Sequence, residues 1–183
     1  MAGDTLSLFP LGGALIDGPY RYWLTRTWGD PGDPVMCWLM LNPSKADADT
    51  DDPTVTRCRK RAMLRTWRGI PYGGIVIVNL FAWRATAPAD LLTGKGRARR
   101  VRPDAVGPDN DRHIAERVLT AHTVVAAWGA HPWAAARAAE VLALIRGYPL
   151  SCLGITESGA PVHPLYIPYD APLIPYPDPA AAA

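Results

Sequence analysis

Short apolar runs recur along the chain, separated by amphipathic stretches and turn sequences. Residues 20–27 alternate aromatic, basic and β-branched side chains, the pattern of a first strand. Residues 35–41 are almost continuously apolar (Val-Met-Cys-Trp-Leu-Met-Leu) and predict a strand covered on both faces, ending abruptly at Asn42, Pro43 and Ser44. The next stretch, 45–52, is polar and acidic. Asp51, Asp52, Pro53 and Thr54 then form a helix start, an acidic cap followed by proline in the first turn. The helix is expected over 53–68, with Val55, Cys58, Ala62 and Trp67 as its buried stripe. Gly73 and Gly74 separate it from a second buried strand, 75–78, closed by Asn79. Residues 95–102 read as a loop or frayed helix. Pro108 to Asp111 cap a helix over 112–121, followed by a third strand over 123–128, an alanine-rich helix over 133–146 and a fourth strand over 150–154. A turn-rich loop, 157–168, carries His163.

Alternating strands and helices predict an α/β domain: a mostly parallel, four-stranded sheet sandwiched between helices. One such domain accounts for residues 1–171, leaving 172–183 as a loose Pro/Ala-rich tail. In these sheets ligands bind beyond the carboxyl ends of the strands. That rule singles out Asn42, Asn79, the Trp128-Gly129 pair and the His163 loop.

Composition narrows the class. The chain of 183 residues is 49% apolar and 20% charged, which suits one globular domain. Cys37, Cys58 and Cys152 are few, odd in number and widely spaced, so they are read as reduced thiols of a cytoplasmic protein and not as a disulfide framework. The start of the chain has no basic, then apolar, targeting pattern, and no apolar run is long enough to span a bilayer. No membrane partner is expected.

Net charge is only +2, yet its distribution is uneven. From Thr54 to Arg102 there are twelve Lys and Arg residues against one acid, Asp90. A solvated helix face explains many such runs. Here the excess covers two segments flanking a strand, which suits contact with a phosphate backbone. Arg57, Lys60, Arg61, Arg84, Arg99 and Arg100 are the candidates.

Candidate chemistry sits at the strand ends. The amides of Asn42 and Asn79 offer a donor and an acceptor each, suited to a heterocycle edge or a water, though Asn is also a common turn residue. His163, flanked by prolines, is either a surface histidine or a donor to an oxygen that gains negative charge. Asp47, Asp49, Asp51 and Asp52 either solvate their loop, with Asp52 as helix cap, or bind magnesium as a cluster, or supply a carboxylate that activates water. Phe81 and Trp83 follow Asn79 and are candidates for stacking on a base, whereas Trp38 and Trp128 are expected in the core. Phosphate-loop, dinucleotide-fold, zinc-protease and nucleophile-elbow motifs are absent from the sequence.

The ordered segments RYWLTRTW, LMLNPSKADADTDDPTVTRC, VIVNLFAWRAT, GPDND, VVAAWG and HPLY resemble a bacterial and phage family known as domain of unknown function 1643. The same landmarks also resemble the uracil-DNA glycosylase superfamily. Asn42-Pro43 stands where that superfamily has its catalytic loop, Asn79 where it reads a flipped uracil, and His163-Pro164 where a histidine steadies the departing base. The resemblance implies a DNA glycosylase of the base-flipping type, with a three-layer fold and neither metal nor cofactor. In that role Asn42 positions water, helped by Asp47 or Asp52. Asn79, with Ser44, Phe81 and Trp83, holds the base, and His163 stabilises its negative charge. The partner is DNA, single- or double-stranded, or a nucleotide. Asn in place of Asp at position 42 resembles the mismatch-specific branches. The chain departs from the family at Leu165-Tyr166, where a Ser-Pro wedge is usual, and at Ser44, where some members carry a bulky residue. A nucleic-acid or nucleotide-binding module without chemistry, and an enzyme of phage-type base modification, are the alternatives. Asn42, Asn79 and His163 are expected to converge on one cleft with arginines at its rim.

Overall fold

A computed structural model describes residues 12–96 and 99–177. The elements are β1 (Gly12–Asp17), β2 (Tyr20–Thr27), β3 (Val35–Met40), α1 (Pro53–Met63), β4 (Thr66–Trp67), β5 (Ile70–Pro71), β6 (Gly74–Asn79), β7 (Leu92–Thr93), β8 (Arg100–Val101), α2 (Asn110–Thr120), β9 (Thr123–Ala126), α3 (Ala135–Leu144), β10 (Leu150–Cys152) and β11 (Ile174–Pro175). The main sheet has seven strands in the order β1-β2-β6-β3-β9-β10-β11. Its four central strands, β6, β3, β9 and β10, are parallel and correspond to the four parallel strands expected from the sequence. The sheet is larger than the expected four strands because β2, β1 and β11 extend it antiparallel at both edges.

The two faces of β3 explain its unbroken apolar run. Met36, Trp38 and Met40 pack with Val55, Cys58 and Ala62 of α1. Cys37 and Leu39 point the other way, to Ile114 and Val118 of α2 and Val141 of α3. A helix layer therefore covers each face. All three cysteines are buried and free, and burial pushes the Cys37 thiol up to about 12.

Helix α1 ends at Met63, short of the expected Arg68, because residues 66–71 form the small β4–β5 hairpin. Arg68 turns it with a φ of 51°, in the left-handed region. The stretch after 172 is no loose tail as far as 177. β11 pairs with β10, and Tyr176 packs edge-on against Trp128. Residues 178–183 lie outside the described residues. The basic stretch 95–102 ends in β8, paired with β7, not in a helix. Among the described residues no helix is long and apolar enough to cross a membrane.

Asp52 caps α1, its Oδ1 accepting from the Val55 amide at 2.8 Å. Asp52→Ala should cost about 1 kcal/mol of stability and Asp52→Asn nearly nothing, measured by urea denaturation. Equal losses in both would show that the capping bond contributes little.

Candidate functional site

A cavity of about 510 Å³ opens at the carboxyl ends of β3 and β6, between the start of α1 and the His163 loop. Its polar lining includes Arg21, Asn42, Ser44, Asp52, His131 and His163, set among apolar residues such as Met40, Val55, Ile77 and Leu165. Of the three residues expected to converge, Asn42 and His163 line this cavity. Asn79 does not. It is buried beside the wall, and its side chain meets the cavity lining at Arg21, whose Nη2 donates to Asn79 Oδ1 at 3.4 Å.

Asn42 follows β3 directly. Its Nδ2 donates to the carbonyls of Pro43 (3.0 Å) and Ala85 (2.8 Å). Two carbonyl acceptors fix the amide's orientation, so Oδ1 is the atom left to accept from a cavity occupant.

His163 is positioned by the loop after β10. The amide of Val162 donates to Gly154, and that of Gly129 to Pro161. Gly129, at a φ of 78°, brings the chain close to both His131 and His163, where a larger residue would be strained. The Leu165 amide donates to His163 Nδ1 at 3.3 Å, so the neutral ring carries its proton on Nε2 and is a donor there. Arg61, fully buried, fastens the same loop from α1. Its Nη1 donates to the Pro168 carbonyl (2.7 Å) and its Nη2 to those of Pro164 and Ile167.

Burial holds the His163 imidazole below its ordinary value of 6.5, with His131 acting in the same sense and Asp52 opposing. Burial also lowers His131. In both, the unfolded chain takes up a proton before the folded one. Their stabilising contribution is therefore complete above pH 6.5 and is lost as pH falls through the folded values. Protonating Nδ1 also turns the Leu165 contact from attraction to repulsion. Urea stability should fall as the pH is lowered below 6.5, and His163→Gln should make the fall shallower. An unchanged slope in that variant would remove His163 as a contributor.

The acidic loop divides its carboxylates. Asp47 is not in the cavity lining. Its Oδ1 accepts from the amides of Asp49 and Thr50, which hold its carboxyl below the usual range, so it builds its own turn. Asp51 pairs with Arg26 at 2.7 Å. Asp52 reaches the cavity while one oxygen caps α1, and lies within electrostatic reach of Arg21 and His163. Among the described residues, no group of three or more His, Cys, Asp or Glu is arranged to hold a metal.

Phe81 and Trp83 do not line the cavity. After β6 the chain crosses to the α2 and α3 side. There Phe81 joins the core against Trp133 (5.9 Å), and Trp83 lies beneath the Arg102 guanidinium. The aromatic at the cavity is Tyr166, 86% exposed.

The expected phosphate contacts separate by exposure. Lys60, Arg99 and Arg100 are exposed. Arg57 is half-buried, donating to the Ile167 carbonyl and lying over the Tyr169 ring. Arg84 is half-buried within electrostatic reach of Arg21 and Asp47. Arg61 is unavailable to a phosphate, since it is buried and spent on the loop carbonyls.

Arg21 and His131 were not apparent as site residues in the sequence. Period two along 20–27 puts Arg21 on the face of Trp23 and Thr25. However, β1 pairs Leu15 with Trp23 and Ile16 with Arg21, so Tyr22 is an extra residue, a β-bulge. Tyr22 therefore packs on His113 of α2, while Arg21 turns to the α1 side, toward Asn79. For His131, the position after the Trp128-Gly129 strand end was the available signal.

The model of one family, described as "Protein of unknown function (DUF1643)", matches residues 21–165. No curated protein matches the chain, and no solved structure matches it.

Proposed function

The chain belongs to the DUF1643 family, and from that premise we propose that it is a DNA glycosylase-like hydrolase, cleaving the N-glycosidic bond of a deaminated or modified base. The observation that carries this reading is the placement of Asn42 Oδ1 and the His163 imidazole on one cavity at the carboxyl ends of parallel strands.

In this mechanism the target nucleotide is flipped out of its stack into the cavity. Asn42 Oδ1 accepts a hydrogen from the attacking water and aims its oxygen at the anomeric carbon. Asn has no basic carboxylate, so the water's proton passes to the Asp52 oxygen not used in capping. The bond from sugar to base breaks, and the negative charge moves onto the base oxygen, where His163 Nε2–H donates to it. The base takes up the proton that Asp52 received, which restores the carboxylate, and the sugar keeps the hydroxyl. Tyr166 at the opening supplies a face for stacking. Lys60, Arg99 and Arg100 are exposed cations for the phosphate backbone. Asn79 acts behind Arg21 and not on the base itself.

The test is mass spectrometry of duplex and single-stranded oligonucleotides carrying uracil, hypoxanthine, xanthine or hydroxymethyluracil, incubated with the protein. Abasic product is expected from at least one. Asp52→Asn, which keeps the cap, should lower excision by about 100-fold with stability unchanged. Salt-sensitive binding with every base still attached would instead mark a binding module. A base changed but retained on its sugar would mark a modification enzyme.

A further inference from the structure

We propose that the cavity selects an occupant carrying an oxyanion, a ring-bound carboxylate or a phosphate, and that Arg21 is the residue that reads it. This deepens the glycosylase reading by naming the substrate class, and rests on that reading only for the oxyanion's attachment to a base or nucleotide.

Arg21 is 3% exposed and lines the cavity. A guanidinium has five N–H donors. Among the described residues Arg21 makes two hydrogen bonds, to the Ala46 carbonyl at 2.8 Å and to Asn79 Oδ1 at 3.4 Å, and its Nε has no partner. No salt bridge to Arg21 is present among the described residues, although Arg26, two turns of the strand pattern away, is paired with Asp51. Burial lowers its pKa to about 10, with Asp52 and, more weakly, Asp47 pulling upward and Arg84 and Arg26 downward, so the group is charged at neutral pH.

A buried cation without a carboxylate is expensive to hold, and its cost is offset when a ligand brings the counter-charge. The Asp52 carboxylate does not fill that role. One of its oxygens is bound to the Val55 amide, and its charge faces the amino end of α1, which favours it there. His131 and His163 are both held toward the neutral form, so neither supplies a competing charge at neutral pH. Arg84, half-buried nearby, adds positive potential. Arg21 thus lines, with donors still unspent, a cavity large enough for a heterocycle with a charged substituent, and a planar guanidinium is the group that suits carboxylate or phosphate.

Isothermal titration calorimetry on the full chain tests this with matched probes: 5-carboxyuracil against uracil, and uridine 5′-monophosphate against uridine, with inorganic phosphate alone as a further arm. At least one charged probe should bind at least about tenfold more tightly than its neutral partner, a preference lost in Arg21→Met and partly kept in Arg21→Lys. Preference for carboxyuracil places the oxyanion on the ring, and preference for the monophosphate places it on the sugar. Binding of phosphate alone at the same affinity as the monophosphate identifies the phosphate as the recognised group. Equal affinity of charged and neutral probes for the unaltered protein overturns the proposal, as does no binding by any probe. So does a preference that survives in a folded Arg21→Met. Charge-selective binding without cleavage of any oligonucleotide, including one carrying 5-carboxyuracil, would leave Arg21's role intact and defeat the glycosylase reading alone.

Discussion

Replacing Arg61 with methionine should destabilise the protein by about 3 kcal/mol and lower its Tm by roughly 6–12 °C. Two effects oppose each other at this site. Burial lowers the Arg61 pKa, so removing the charge relieves a desolvation penalty. Against this, the carbonyls of Pro164, Ile167 and Pro168 each lose a charged donor, keeping respectively the Ile167 amide, Arg57 and the Ala171 amide. A hydrogen bond to a charged group is worth about 1.5–3 kcal/mol, so the loss of three outweighs the relief. Lysine restores the charge but not the fork, and Arg61→Lys should fall between the two. The loop that loosens is the one holding His163, so excision should fall in Arg61→Met although no group at the reacting atoms has changed. Urea denaturation and amide exchange across 164–168 are the measurements. A loss below about 1 kcal/mol would mean the loop is held by other contacts.

The second large effect is on chemistry. Under the proposed mechanism His163→Ala should lower excision about 10²–10³-fold, because it removes the donor to the oxygen that gains charge. Asn42→Ala should cost about 100-fold through loss of water orientation. The pair should lose less than the product of the two, since both act in one transition state. Neither ring nor amide lies in the hydrophobic core, so stability should change little beyond the Asn42 bonds to Pro43 and Ala85. Single-turnover rates on the best oligonucleotide of the panel decide this. A His163→Ala protein of unchanged rate would end the assignment of the site.

The architecture was legible because its main signals are local. β3 and β6 are buried on both faces, which needs continuous apolar runs, and residues 35–41 and 75–78 are such runs. Asp52 and Pro53 mark the start of α1 by composition alone, as the observed cap bears out. Asn42 and His163 were legible as a consequence, since a parallel sheet collects whatever follows its strands at one end. The edge strands were less so. β1 and β11 have no buried face to impose a pattern, and β11 has only two residues. The small β4–β5 hairpin was read as the last turn of α1 because Trp67 continued the helical stripe.

Other side chains were decided only by contacts across the fold. Arg61 looks like one cation among many in a basic helix, and only the arrival of the loop more than a hundred residues later makes it a buried anchor. Phe81 and Trp83 follow Asn79 directly, yet the period-two rule lapses once the chain leaves β6, and packing against Trp133 and Arg102 takes them away from the cavity.

By itself, then, the order of residues determined the alternating layers, the carboxyl-edge location of the cavity and four of its polar groups, Asn42, Ser44, Asp52 and His163. Those depend on local pattern and on the handed geometry of parallel strands. The tertiary structure decided which charge faces that cavity. The extra residue at Tyr22 sends Arg21 to one face and leaves Trp23 on the other, and a bulge of this kind is a property of strand pairing that alternation along a single strand does not encode.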